Sequence, residues 1–114
     1  MTIFDRVVNA LKTLNVPYAN QVYIPATGNK LPDLFLVYFL ISSAARQHAD
    51  DRETLRATRV QVSVYSRAGL TDLPDVDSAM LAAGFARSAV FQMAYNRETR
   101  HFGIALDYVY MEES

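Results

Sequence analysis

The stretch RVQVSVYSR, residues 59–67, is the clearest secondary-structure signal in the chain. Val60, Val62 and Val64 alternate with residues that are polar or aromatic. Because successive side chains of a strand point to opposite faces, this alternation predicts a strand with one face in a hydrophobic core. The other face is expected to be wet or to lie against a polar partner.

A second strand is predicted just before it, at residues 34–41, where every residue is apolar. A run this rich in aromatic and β-branched residues is typical of a strand covered on both faces, and hence central in its sheet. Residues 43–54, between the two strands, are polar and rich in charge. They are expected to form a long exposed hairpin connection.

The N-terminal segment predicts an amphipathic helix. Its apolar residues recur at spacings of three and four between Ile3 and Leu14, as a single buried helix face requires. Thr2 is the expected N-cap, and Pro17 ends the helix because it moves the residue before it out of the helical region. A short strand is predicted at residues 21–24.

The C-terminal half predicts a second helix and a hairpin. Asp72 is the expected N-cap of a helix at residues 73–83, with a proline in its first turn, and Gly84 suits the left-handed position after it. Residues 87–95 and 101–110 are expected to form the last two strands.

These elements predict one domain spanning residues 1–114, in the order α-β-β-β-α-β-β. Helices segregated against a run of strands give a two-layer α+β fold, with two helices on one face of a mostly antiparallel sheet of about five strands. Two short helices leave part of such a sheet uncovered. Self-association is therefore expected, since a subunit contact would cover it.

Composition excludes several classes of function. With 11 basic and 12 acidic residues the net charge is −1, which argues against a general nucleic-acid or anionic-membrane surface. The chain has no cysteines, which removes disulfides, thiolate metal sites and cysteine nucleophiles. Its longest uncharged apolar stretch, residues 34–45, is too short to span a bilayer as a helix, so no membrane association is expected.

No motif for catalysis, metal binding or cofactor binding is found in the sequence. The residue types of a hydrolytic triad occur close together in one short segment, which contains Ser42, Ser43, His48, Asp50 and Asp51. Triad residues converge from separate rigid elements, whereas these lie in a single predicted loop that also lacks the ligand spacing of a metal site. We therefore expect a protein that is not an enzyme and needs neither cofactor nor metal.

Arginine and tyrosine side chains are the candidate contact residues. The local basic cluster, which is interleaved with acidic residues, consists of Arg46, Arg52, Arg56 and Arg59. Three interpretations of these side chains are open: ordinary surface ion pairs, docking on a neighbouring subunit, or the lining of a lumen through which DNA passes. The mixed charge favours a subunit contact over DNA affinity. Because tyrosine is enriched at interfaces, the strand residues chosen as candidates are Tyr65, Tyr108 and Tyr110.

In its order of elements the chain resembles the tail terminator group, small tail-completion proteins of long-tailed bacteriophages and prophages. The segments that carry the resemblance are TIFDRVVNALKTLNVP, VYIP, DLFLVYFLI, RVQVSVYSR, DLPDVDSAMLAAGF and HFGIALDYVYMEE. They cover nearly the whole chain in order.

The resemblance implies a virion structural protein without catalytic residues. Such subunits form rings, commonly of six, that cap the finished tail tube and meet the head–tail connector or stopper protein, while DNA passes through the lumen without specific binding. It also implies a place in the tail or neck of the virion, after assembly in the host cytoplasm. Residues 43–54 resemble the group's variable excursion, in which Arg46, Arg52 and Arg56 are the candidate docking residues.

Two other functions stay open. Stopper and head-completion proteins of the neck are also small α+β ring formers. A dimeric α+β ligand-binding domain or enzyme would instead need polar groups in a pocket between helices and sheet, where the candidates are His101, Asp107 and Tyr108. Asp107 is expected on the face opposite Ile104 and Leu106, in solvent or a subunit contact, and His101 is expected to be half-exposed.

Overall fold

The computed structural model describes residues 2–24, 31–47 and 54–113. In these ranges the elements are α1 (Ile3–Lys12), β1 (Tyr18–Asn20), β2 (Leu34–Gln47), β3 (Thr54–Ser66), α2 (Val76–Ala82), β4 (Ala86–Asn96) and β5 (His101–Glu113). The fold is α+β, and its order is the predicted α-β-β-β-α-β-β.

The described strands form one sheet in the order β1-β2-β3-β5-β4. β1 joins β2 in parallel, and the other three pairs are antiparallel. The alternating strand β3 is therefore the central one, and the apolar β2 lies next to the edge. Its first half, including Phe35 and Leu36, is buried on both faces as predicted, whereas Leu40 and Ile41 are exposed because they lie beyond β1.

The hydrophobic core lies between the helices and one face of the sheet. Val60, Val62 and Val64 of β3 are each no more than 1% exposed, which confirms the predicted alternation. In register, Val62 lies between Tyr38 of β2 and Leu106 of β5. The buried helix residues packed into the same core are Val7, Ala10, Leu11, Val76 and Met80.

Helix α1 begins with the predicted N-cap. Thr2 Oγ1 accepts a hydrogen bond from the Asp5 N–H at 3.1 Å, and Asp5 Oδ2 accepts one from the Thr2 N–H at 3.0 Å, which completes a capping box. Hydrogen bonds from the backbone and side chain of Thr2 hold the pKa of Asp5 below its usual value. The chain then leaves the helix through Asn15, whose φ of 55° is left-handed, before it reaches Pro17.

Two predicted element boundaries are wrong. The first strand is Tyr18–Asn20 instead of residues 21–24, because Gln21 adopts a left-handed φ of 67° that ends the strand. Helix α2 begins at Val76 and not at residue 73. Its N-cap is Asp75 and not Asp72, since the Asp75 carboxylate accepts a hydrogen bond from the Ser78 N–H at 3.1 Å.

The predicted exposed connection at residues 43–54 is also wrong over much of its length. The β2–β3 pairing continues from Ser43 opposite Thr58 to Gln47 opposite Thr54, and residues 48–53 lie outside the described part of the chain. The hydroxyl groups of Ser43 and Thr58 meet across the extended pair, with Ser43 Oγ and Thr58 Oγ1 3.3 Å apart. The hairpin therefore extends the domain, whose dimensions are 55 × 26 × 22 Å.

Candidate subunit interface

The sheet face opposite the helices, called here the open face, carries the first candidate site. Cross-strand register brings Phe35, Tyr65 and Gly103 into one row of this face. The Phe35 ring stacks on the Tyr65 ring at 5.0 Å and meets the His101 ring edge-on at the same distance. The Tyr23 ring also packs against Phe35, with ring centroids 5.1 Å apart. Aromatic packing thus buries one end of the open face without a helix.

His101 is buried in this cluster, so the prediction that it is half-exposed is wrong. It is 2% exposed, because the ring lies against Phe35 and beneath the segment around Pro32. A carbonyl oxygen can only accept, so the 2.8 Å contact means that His101 Nε2–H donates to the oxygen of Pro32. Nδ1 is buried and has no hydrogen-bond partner among the described residues.

A cavity of about 230 Å³ adjoins the same cluster. Its lining residues are Gln21, Val22, Tyr23, Leu31, Phe35, Val37, Tyr65, Asn96, Thr99 and His101. The cavity therefore lies on the open face and not between helices and sheet. Of the three polar candidates for a ligand pocket only His101 lines it, because Asp107 lies farther along the open face and Tyr108 points to the opposite face, into the core.

Asp107 lies farther along the open face, opposite Gln61. Asp107 lies on the predicted face. It is only 4% exposed, so the expectation that it lies in solvent is wrong. Arg59 Nη2 lies 3.5 Å from Asp107 Oδ2, and Oδ1 is buried without a hydrogen-bond partner among the described residues. A buried acceptor in this state costs about 1–3 kcal/mol. The positive charge next to this carboxylate is the guanidinium of the partly exposed Arg59.

The four candidate arginines do not share one described patch. Arg52 lies outside the described residues, and of Arg46 only the backbone position in β2 is described. Arg56 Nη1 donates to Ser43 Oγ at 3.1 Å, whereas Arg59 faces Asp107. Because Arg56 and Arg59 are three residues apart on β3, their side chains emerge on opposite faces of the sheet. His48, Asp50 and Asp51 also lie outside the described residues.

Of the three candidate tyrosines, Tyr65 alone lies on the open face. The prediction that Tyr108 is an interface residue is contradicted, because its side chain is 0% exposed in the core. Its hydroxyl donates to Asp77 Oδ1 of α2 at 2.6 Å, and burial together with this hydrogen bond raises the pKa of Tyr108 well above its usual value. Tyr110, on the helix face, packs against Phe85 at 5.2 Å and lies beneath the guanidinium of Arg6 at 4.6 Å.

A hydrogen-bond hub that sequence reasoning missed closes the end of the sheet next to the cavity. Arg67 Nε donates to the Thr99 carbonyl at 2.9 Å, and Nη1 donates to the Leu31 carbonyl at 3.0 Å and to Asp33 Oδ1 at 2.7 Å. Its partners come from two segments far from Arg67 in the sequence, residues 31–33 and Thr99, so no local pattern points to them. Arg67 positions the segments that border the cavity.

The sheet ends in two edges without a partner strand in the described part of the chain. The first, called here the β4 edge, is the outer side of Ala86–Asn96, where Val90 and Phe91 are 44% and 51% exposed. The second, called the β2 edge, is the outer side of residues 39–47, because β1 pairs only with Leu36, Val37 and Tyr38. Both present unpaired backbone groups beside exposed apolar side chains, which favours pairing with another chain.

Comparison of the chain with protein-family models and with curated protein sequences gives no match. No helix among the described residues is long and apolar enough to cross a membrane. Within the same residues, no group of three or more His, Cys, Asp or Glu side chains is placed to hold a metal ion. The function is therefore inferred from the sequence pattern and from the exposed surfaces of the sheet.

Proposed function

We propose that this protein is a virion structural protein, a tail terminator subunit that forms a ring, caps the tail tube and joins the tail to the head connector. The observation that carries the proposal is the pair of open edges on one sheet, both lined by exposed apolar residues. An isolated domain with such edges is prone to associate with other chains. An assembly subunit covers them with neighbouring copies.

A ring requires that two different surfaces of the same subunit meet, because only such a contact repeats around a rotation axis. The β2 and β4 edges lie on opposite sides of the sheet and supply two different surfaces. The β2–β3 hairpin and β5 give the subunit a long axis of 55 Å. In the proposed ring one end of this axis contacts the tail tube and the other contacts the connector.

The charge distribution supports passage of DNA without specific binding. Phosphate binding requires cations that are not already neutralised. The net charge is −1, and Arg59 faces Asp107 at 3.5 Å while Arg87 and Asp77 pair at 2.9 Å. In this role the protein needs no catalytic residue, cofactor or metal. Its place would be the tail or neck of the virion, after assembly in the host cytoplasm.

Two alternatives are tested alongside. A head-completion or stopper protein of the neck would use the same edges in a ring at the next level of the connector. A dimeric ligand-binding domain is favoured by one observation, the 230 Å³ cavity that His101 lines and whose walls include aromatic rings.

The decisive experiment is electron microscopy of tail tubes with the purified, gold-labelled protein. The tubes are assembled from the tail tube protein encoded in the same genome. Label at one end of each tube, with a ring-shaped cap, supports the terminator assignment. Label on purified head connectors and not on tubes would instead indicate a stopper, and binding to neither structure would refute a role in the neck.

A further inference from the structure

We propose that copies of this chain associate by sheet continuation, in which the β4 edge of one copy pairs antiparallel with the β2 edge of the next. This inference deepens the proposed function by naming the two surfaces that close the ring, and it relies on that function only for calling the assembly a tail ring. The occupant of both edges is a second copy of the same chain.

Residues 89–93 of β4 lack charge and proline, two of the devices that keep edge strands apart, and they lie between two register irregularities, at Arg87/Ala89 and at Met93/Asn96. Solitary edge strands are protected by charged side chains, proline, β-bulges or short length. β4 is 11 residues long, and from Ser88 to Asn96 it contains no charged residue and no proline. Val90 and Phe91, on successive positions and hence on opposite faces, are both about half exposed. A partner strand would cover both side chains at once.

The β2 edge matches it in length and chemistry. Residues 39–45 carry no charge, and Leu40 and Ile41 are 40% and 41% exposed. At about 3.3 Å per residue the nine residues 39–47 extend over roughly 30 Å, and the 11 residues of β4 over roughly 36 Å. In the described part of the chain the two edges therefore offer similar lengths of unpaired backbone next to exposed apolar side chains. Register irregularities interrupt both lengths, between Leu40 and Ser42 in β2 and at Arg87/Ala89 and Met93/Asn96 in β4.

Strand direction makes the pairing antiparallel. Along the sheet β2, β3, β5 and β4 alternate in direction, so β4 runs opposite to β2. A second copy placed by rotation about an axis along the strands brings its β2 beside the first copy's β4 with this opposite polarity. The new pair then repeats the pattern of the other three antiparallel pairs, and the contact remains available at both outer edges until a ring closes.

One competing arrangement uses only β4. Two β4 edges can pair antiparallel about a two-fold axis, which gives a closed dimer and leaves both β2 edges free. The two arrangements make different demands on the β2 edge. In sheet continuation every contact needs one β4 edge and one β2 edge, whereas in the two-fold dimer the β2 edge has no role.

The experiment uses one edge variant on each side. Phe91→Lys blocks the β4 edge and Leu40→Lys blocks the β2 edge, since a lysine on an edge strand disfavours pairing. Both residues are substantially exposed, so both variants should fold. Leu81→Lys on α2, which is 54% exposed and away from both edges, is the matched control. Circular dichroism establishes that all three are folded, and sedimentation velocity measures their mass.

We expect wild type and Leu81→Lys to form the same oligomer of three or more subunits, and each edge variant to associate about 100-fold more weakly. An equimolar mixture of the two variants should give a one-to-one dimer, because one intact β4 edge then meets one intact β2 edge. Dimeric Leu40→Lys without a mixed dimer would overturn the proposal in favour of the two-fold arrangement.

Two further outcomes would also overturn sheet continuation. One is wild-type mass in both edge variants, which would mean that the edges do not mediate assembly. The other is a wild-type protein that stays monomeric up to about 1 mM, where even weak pairing becomes visible. Either outcome would also remove the edges as support for the terminator role, and the labelling of tube ends tests that role separately.

Discussion

The hydroxyl of Tyr108 connects helix α2 to the sheet through a hydrogen bond. Removing this hydroxyl measures how much the hydrogen bond contributes to the free energy of unfolding. The Tyr108 hydroxyl donates to Asp77 Oδ1 at 2.6 Å from a fully buried ring, and Arg87 Nη1 binds the other Asp77 oxygen at 2.9 Å. A hydrogen bond to a charged group contributes about 1.5–3 kcal/mol. Because Asp77 keeps Arg87 and is partly exposed, Tyr108→Phe should lower the free energy of unfolding by about 1.5 kcal/mol.

The pH dependence tests the same contact independently. Burial, followed by the hydrogen bond to Asp77, raises the pKa of Tyr108 above its ordinary value of 10.0. The native state therefore keeps the proton where the unfolded chain loses it, so the stability contributed by Tyr108 is complete below pH 10 and falls above it. By pH 11 this loss is about 1.4 kcal/mol. Tyr108→Phe has no such loss, and its difference from wild type should nearly disappear there.

The measurement is urea unfolding followed by far-ultraviolet circular dichroism, at pH 7 and at pH 11. Tyr95→Phe is the matched control, because Tyr95 is an exposed strand tyrosine whose ring lies against Phe102. It should differ from wild type by less than about 0.5 kcal/mol. A Tyr108→Phe effect that is equally small at pH 7, or one that persists undiminished at pH 11, would refute the reasoning.

Three other sets of substitutions test the core, the hydrogen bonds of Arg67 and the arginines of the β2–β3 hairpin. Val62→Asp should abolish folding, seen as loss of the circular dichroism signal, because it buries an unpaired charge at a position with 0% exposure; a folded variant would contradict the core assignment. Arg67→Ala should lower the unfolding free energy by about 2 kcal/mol and speed hydrogen exchange near Thr99, whose carbonyl it binds; unchanged exchange there would exclude the hub. Reversing both Arg52 and Arg56 to Glu should leave the thermal midpoint unchanged and reduce assembly in sedimentation; normal assembly would rule out docking through these arginines.

Local signals account for the elements that were predicted correctly. The capping box of Thr2 and Asp5 and the left-handed Gly84, whose φ is 96°, depend on residues within a few positions of each other. The alternation around Val62 is equally local. The length of the β2–β3 hairpin is not, because the pairing of Ser43 with Thr58 joins two polar segments that resemble a loop when each is considered alone.

The candidate site was less predictable because burial depends on distant residues. Alternation correctly places Asp107 on the face of the sheet opposite to that of Leu106. The segments and side chains that cover Asp107 and His101, however, come from elsewhere in the chain. Tyrosine content alone does not separate Tyr65 on the open face from Tyr108 in the core. The helices decide this, since the face they cover becomes the interior.

By itself the sequence determined the α+β class, the order of elements and the face of β3 that enters the core, because capping and alternation act between neighbouring residues. Only the tertiary structure decided that, among the described residues, β3 and not β2 is central, β1 pairs with just three residues of β2, and β4 ends the sheet. Strand order depends on contacts between residues far apart in the chain, and those contacts determine which edges remain open for another subunit.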